Sequence, residues 1–263
     1  MIICNRNIGK MSLNEKQVEE FKSKGFIVLK NFFKTPDMDR VSKYLDDLCK
    51  KDGGNEAKYY EISTINNNNI LVRIENVMTE HNLELKNLLI TMKAKECLSR
   101  LLGESPALFK DKINYKLPGC RADKLHQDQS AGWNAYADFF ITMGIVVDKI
   151  RKDNSALSFM NSGNYKYKLM VPEWKPLSEE DPPYQPENEY TLLEADPGDI
   201  IFFDSYVPHG SPANTGNRSR RIIFLTFNKL SSGDMRTKYY ADKWRRYAPN
   251  KAVNARESKT FLV

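Results

Sequence analysis

The residues in this chain best suited to do chemistry are two histidines and an aspartate. His126 and Asp128 stand in the run H-Q-D, and His209 opens the run H-G-S. The chain holds only three histidines, so two of them in polar motifs are informative. In an extended strand, positions i and i+2 share a face, which lets His126 and Asp128 reach one ion together. His209, brought in from a distant strand, completes two imidazoles and one carboxylate on one side of a metal. That set leaves open coordination positions and suits non-haem Fe(II) that activates oxygen. Arg220 lies eleven residues after His209, and its rigid, always-charged fork matches a carboxylate. Two rival acids flank His209. Asp199 is expected to cap the Pro-Gly-Asp turn, and Asp204 to occupy the turn after its strand. His81 precedes a helix without a partner motif and reads as a surface histidine.

The elements that must position these groups can be traced along the sequence. Residues 197–228 read as strand, polar turn, strand, with apolar runs at 200–203 and 222–227 on either side of His209. Upstream, Ser12 and Glu15 form an S-x-x-E capping signature for a helix that Gly25 ends, followed by a strand at 26–29. Thr35-Pro36 opens a second helix with an apolar stripe of Met38, Val41, Leu45 and Leu48. Residues 51–69, with Gly53-Gly54 and four asparagines from Asn66, read as a mobile loop, 70–74 as a strand, and 85–102 as one helix closed by Gly103. From 108 the pattern turns to strands. Ile113, Tyr115 and Leu117 alternate with Lys112, Asn114 and Lys116, as in a half-buried strand. Further apolar runs follow at 139–147, 157–160 and 191–193.

Many short strands after a helical opening predict a mainly β fold with flanking helices, a jelly roll or double-stranded β-helix of the cupin-like kind. At 263 residues and 30.4 kDa a single domain over 1–263 is expected, with 1–11 as an N-terminal tail and Met11 as a natural start. The proline-rich, acidic stretch 171–190 is expected to form a lid over the site. The basic and aromatic tail 234–263 is expected to dock on the barrel as a helix. With 41% apolar residues the chain can bury a sizeable core without disulfides. Its net charge of +6 comes from no dense basic block, which argues against nucleic acid as a partner. Four scattered cysteines without a C-x-x-C pair fit reduced thiols and a cytoplasmic location, and neither a signal peptide nor a membrane span is expected.

Together K-L-P-G (116–119), H-Q-D (126–128), G-D-I-I-F-F-D (198–204), H-G-S (209–211) and the spacing to Arg220 resemble the phytanoyl-CoA dioxygenase family. These are Fe(II)/2-oxoglutarate-dependent oxygenases. The resemblance implies that His126, Asp128 and His209 bind iron and that Arg220 pairs with the far carboxylate of 2-oxoglutarate. It also implies that Ser211 assists by hydrogen bonding and that Lys112 touches the cosubstrate. Oxygen is then consumed as 2-oxoglutarate becomes succinate and CO2, and an unactivated C–H bond of the substrate is hydroxylated. Asp128 stands where halogenating relatives carry a small residue, which favours hydroxylation. Gly144 stands where relatives often carry a tryptophan, so that wall of the site is open or filled differently.

Gln127, Gln129 and Trp133, with Tyr136, follow the metal pair closely and are candidate substrate contacts. H-Q-D-Q-S-A-G-W after K-L-P-G is similar to the subgroup acting on 2-aminoethylphosphonate. The expected substrate is therefore a small polar metabolite, anionic or zwitterionic, rather than a fatty acyl-CoA. Two alternatives stay open: a tailoring oxygenase of secondary metabolism that desaturates or forms rings, and a jelly-roll protein that binds metal without catalysis. A zinc hydrolase would want H-E-x-x-H or a third histidine near the site, and neither is present.

Overall fold

A computed structural model describes residues 13–51, 56–165, 167–172, 174–178, 180–181 and 190–249. Helix α1 spans Glu15–Lys24 and strand β1 Phe26–Leu29. The capping box of α1 differs from the expected Ser12–Glu15 pair. Asn14 accepts from the Gln17 amide and the Gln17 side chain accepts from the Asn14 amide, each at 2.9 Å. Ser12 lies outside the described residues. The same motif two residues later wins because Asn caps as well as Ser and Gln closes the box as Glu does.

Helix α2 spans Thr35–Lys50 and buries the stripe Met38, Val41, Leu45 and Leu48. The stretch read as a loop at 51–69 instead carries strand β2, Ala57–Ile62, hairpinned to β3, Asn69–Glu75. The asparagine run supplies the turn between them. Polar side chains at this sheet edge hid the strand, since its burial alternates only weakly. The helix expected over 85–102 is two, α3 at Leu83–Leu89 and α4 at Met92–Leu102. Thr91 starts the second by accepting the Ala94 amide at 3.2 Å, a local bond that competes with continuing the first helix.

The remaining elements are β4 (Pro106–Lys116), β5 (Asp123–His126), β6 (Ile141–Val146), β7 (Leu157–Met160), β8 (Tyr190–Leu193), β9 (Ile200–Asp204), β10 (His209–Ser211), β11 (Arg220–Lys229) and α5 (Arg236–Arg246). They form a seven-stranded sheet ordered β1-β9-β6-β11-β4-β3-β2 and a four-stranded sheet ordered β5-β10-β7-β8. All the pairings are antiparallel. Two sheets plus flanking helices are the expected mainly β jelly roll.

Strand alternation sorts the core into two layers. Ile200, Phe202, Ile223, Leu225, Phe227, Ile113 and Tyr115 pack outward against α1, α2 and α4. Ile201, Phe203, Ile222 and Phe224 point inward with Val146, Phe159 and Val207 of the layer between the sheets. On β4 the inward face is polar: Lys110, Lys112 and Asn114 line a cavity beside His126, Asp128 and His209. The resemblance implies that Lys112 reaches the cosubstrate, and on this strand it faces the internal cavity together with Lys110.

Helix α5 closes that cavity. Lys243 donates to both oxygens of Glu75 at 2.8 and 2.6 Å, fully buried, and Tyr240 bonds the backbone of Asp111. Tyr239, Lys243 and Tyr247 reach its lining, so the C-terminal tail is part of the site's wall. Residues 250–263 of that tail lie outside the described residues, as do 1–12. No helix among the described residues is long and apolar enough to cross a membrane.

Candidate active site

The two histidines meet because β5 and β10 are neighbours in register. His126 and His209 are direct cross-strand partners, and their ring centroids lie 4.4 Å apart. Gly210 permits that pairing: a Cβ there would stand 2.8 Å from the Asp123 carbonyl oxygen. Asp128 sits in the 3-10 turn that follows β5, with its carboxylate 3.8 Å from His126 Nε2. One ligand atom from each of the three residues lies within 4.8 Å of the others.

The tautomers are fixed by the backbone. His126 Nδ1 lies 2.7 Å from the Lys124 carbonyl, and His209 Nδ1 lies 3.0 Å from the Val207 carbonyl. A carbonyl only accepts, so each Nδ1 carries the proton and each Nε2 lone pair is left for a metal. Burial, with His126 alongside, lowers the His209 pKa to about 4, so it is neutral near pH 7, as a metal ligand must be. Burial alone would raise the Asp128 carboxyl. Lys112, His209, Lys110 and His126 outweigh it and hold the group well below the usual carboxylate range. Phe159 stacks on the His209 ring at 5.4 Å and Phe203 lies at 4.9 Å, which locks the imidazole in place. These donors fit a divalent iron with open positions.

Arg220 begins β11 and is 1% exposed. Its Nη2 approaches Ser211 Oγ at 3.4 Å and Ser155 Oγ at 3.5 Å, while Nε has no hydrogen-bond partner among the described residues. Burial lowers its pKa to about 10, still fully protonated near pH 7. A buried guanidinium held by two hydroxyls, with an idle N–H, fits an incoming carboxylate. Its neighbour Arg221 faces the other way and pairs with Asp148 at 2.8 Å, and Arg218 pairs with Asp153 at 2.6 Å. Lys116 pairs with Asp123 at 2.8 Å, and Ser211 donates to the same carboxylate oxygen.

Lys112 lines the cavity, its ammonium 5.1 Å from the centre of the Phe224 ring. That ring fills the wall that Gly144 leaves vacant. The two residues are cross-strand partners, and a Cβ on Gly144 would meet the ring at 3.3 Å. Trp133 also lines the cavity, while Tyr136 packs in the aromatic cluster behind it. Gln127 and Gln129 do not line it. The Gln127 amide donates to the Lys168 and Tyr206 carbonyls at 2.8 and 2.7 Å and accepts from the Met170 amide at 2.8 Å. Gln129 donates to the Ala137 carbonyl at 3.0 Å and to Asn134. Each ties loops to the metal turn. Gln127→Leu would strand two carbonyls and an amide, about 2–4 kcal/mol. Its melting temperature is expected to fall by roughly 5–10 °C in calorimetry. An unchanged transition would contradict this role.

The rival acids are occupied elsewhere. Asp199 accepts from the amides of Asp196 and Asn31, and Asp204 from those of Tyr206 and Val207 and from the Tyr165 hydroxyl. His81 is exposed in a short 3-10 turn. Of the stretch expected as a lid, Trp174 and Pro176 line the cavity, and the Trp174 ring lies 5.5 Å from His126. Residues 173, 179 and 182–189 lie outside the described residues. Trp174 belongs to the stretch expected as a lid, and Tyr239 and Lys243 to the tail expected to dock on the barrel, with a clamp for an anionic group as the alternative; Ser155 and Phe224 are additions of the structure. Phe224 is found only through the strand register that sets it opposite Gly144.

Comparison with known proteins agrees with this geometry. The family model described as Phytanoyl-CoA dioxygenase (PhyH) matches residues 21–222. A 2-aminoethylphosphonate dioxygenase from uncultured bacterium HF130_AEPn_1 is 32% identical over 89% of this chain and 89% of its own. A methylphosphonate hydroxylase from Gimesia maris is 29% identical over 90% of this chain and 89% of its own. Among solved structures, apo EctD from S. alaskensis superposes with a TM-score of 0.72 at 18% identity, covering 84% of this chain and 78% of that one.

Proposed function

The chain belongs to the phytanoyl-CoA dioxygenase family, and from that premise we propose that it hydroxylates a C–H bond of a small anionic or zwitterionic metabolite, short phosphonates foremost. The protein is an Fe(II)/2-oxoglutarate-dependent oxygenase. The observation that carries the substrate reading is the cavity onto which His126, Asp128 and His209 open. It measures about 660 Å³, room for a cosubstrate and a small molecule, and its lining is rich in lysine and arginine. The names of the two phosphonate-oxidising relatives point the same way.

The roles of the protein groups follow from their placement. His126, Asp128 and His209 would hold iron on one face, with both imidazoles aimed by backbone carbonyls. Arg220 would clamp the distal carboxylate of 2-oxoglutarate, with Ser155 and Ser211 keeping its fork oriented. Phe159, Phe203 and Phe224 keep the inner end apolar and exclude water. Trp174 and Pro176 cover the side beside His126. Bound iron and 2-oxoglutarate supply the oxygen activation, in which the cosubstrate is oxidised to succinate and CO2 while one oxygen atom enters the substrate. The reading carries with it a cytoplasmic setting, where ferrous iron, 2-oxoglutarate and unpaired thiols coexist.

Adding Fe(II) and 2-oxoglutarate without oxygen should produce the visible metal-to-ligand charge-transfer band. Under air, methylphosphonate or 2-aminoethylphosphonate should then accelerate succinate release. Acceleration by an acyl-CoA alone would overturn the substrate class, and absence of the band would overturn the cofactor assignment for these residues.

A further inference from the structure

We infer that Lys110, with Lys112 beside it, anchors the anionic group of the substrate and makes the site selective for a tetrahedral dianion such as a phosphonate. The inference rests on the oxygenase reading above and adds to it a specificity-determining residue. Strand β4 orders the polar floor of the cavity. Lys116 stands opposite Arg220 in the ladder, Lys112 opposite Phe224 and Lys110 opposite Thr226. At about 3.4 Å of rise per residue, Lys110 and Lys116 are about 20 Å apart along the strand. Arg220 and Lys116 are not among the residues that line the cavity, and the cosubstrate would extend from His126, Asp128 and His209 toward that guanidinium. Lys110 therefore sits beyond the reach of the same molecule, on the side left for substrate.

Lys110 is also conspicuously unmatched. It is 8% exposed and lines the cavity. Its ammonium makes no hydrogen bond or ion pair with any described residue; the Trp133 ring lies at 4.1 Å and the Tyr239 ring at 5.7 Å, while the Asp128 and Glu75 carboxylates act on it at longer range. Lysine is rarely buried without a partner, and its three donors call for oxygen acceptors. Burial, with Lys112 alongside, holds the ammonium well below the usual lysine range, so an arriving anion relieves a cost already present.

The surrounding charges point to an anion with more than one negative charge. Glu75 is already matched by Lys243 at 2.6 Å and Arg73 at 3.0 Å. Among the described residues, the cavity lining carries six lysines and arginines against four carboxylates, Glu61, Glu75, Asp123 and Asp128. Asp128 is committed to the metal, so the excess positive charge remains for the ligand. Two ammonium groups at i and i+2 stand about 7 Å apart at their Cα atoms and can converge on one three-oxygen headgroup. Trp133 and Tyr239 wall off this end, which keeps the bound molecule short.

The test is anaerobic calorimetric titration of the Fe(II)- and 2-oxoglutarate-loaded protein with methylphosphonate and, separately, with acetate. The unsubstituted protein should bind methylphosphonate at least about 30-fold more tightly than acetate, the size expected for charge-assisted hydrogen bonds. Lys110→Met and Lys110→Gln should each weaken methylphosphonate by about 30-fold or more, with melting curves recorded to confirm folding. The inference fails if the unsubstituted protein binds the two anions equally or binds no phosphonate. It also fails if either folded variant keeps its methylphosphonate affinity within about threefold. The charge-transfer band of the same sample separates the two readings. Its absence sinks the oxygenase reading, whereas a normal band without phosphonate selectivity sinks only the role of Lys110.

Discussion

Arg220→Met is expected to raise the KM for 2-oxoglutarate by roughly 100- to 1,000-fold while iron stays bound. Truncating one partner of a buried, hydrogen-bonded charge pair costs about 2–5 kcal/mol, and each 1.4 kcal/mol is tenfold in affinity. The case here is strong because the guanidinium is 1% exposed and its Nε has no partner among the described residues. In the free protein that cation is a burden, since burial opposes its charge. The same substitution should therefore leave the melting temperature of the unloaded protein unchanged or higher. What the variant loses is the rise in melting temperature on adding 2-oxoglutarate with metal, which reports ligand affinity. Succinate assays and melting curves with and without cosubstrate check both halves. A KM within a few-fold of the original would remove Arg220 from the cosubstrate site.

Asp128→Asn should be more damaging still. The only carboxylate among the described residues within 4.8 Å of both imidazole donors would become a neutral amide. Disturbing groups that merely support metal ligands costs about 10- to 100-fold, so losing a ligand charge should weaken iron by more than about 100-fold. Activity should fall by at least about 1,000-fold at limiting iron. Iron stoichiometry after dialysis, with turnover measured at several Fe(II) concentrations, separates lost binding from lost chemistry. Full iron retention with normal turnover would sink the metal assignment.

The cluster of His126, Asp128 and His209 could be read from the sequence because two rules converge on it. A two-residue spacing puts His126 and Asp128 on one face, and apolar runs around His209 mark it as lying between strands. The jelly-roll class followed from the same short apolar runs, and β7 falls where one of them lies. The misreadings have physical causes. The position of Gln127 between His126 and Asp128 suggests a substrate contact, yet the rule that pairs 126 with 128 turns 127 to the opposite face, where it holds the 168–170 backbone. Lys110 escaped notice because a strand face turned to solvent and one turned to a cavity carry the same alternation. Only the second sheet and α5, placed across from β4, distinguish them. Gly144 showed that a wall was missing, but that Phe224 supplies it depends on strand register, which no local pattern specifies. The site's far wall, drawn from residues 239, 243 and 247, is more than a hundred positions from the candidate ligands Asp128 and His126 and joins them only through folding.

The anchoring of α5 has a consequence for how such enzymes diversify. Oxygen-activating groups hang on the two sheets, whereas much of the opposing wall rides on one terminal helix fastened by the Lys243–Glu75 pair. Exchanging that short segment between relatives is a route to new selectivity that leaves the redox apparatus intact, so sequence divergence after residue 235 should track what each homologue consumes.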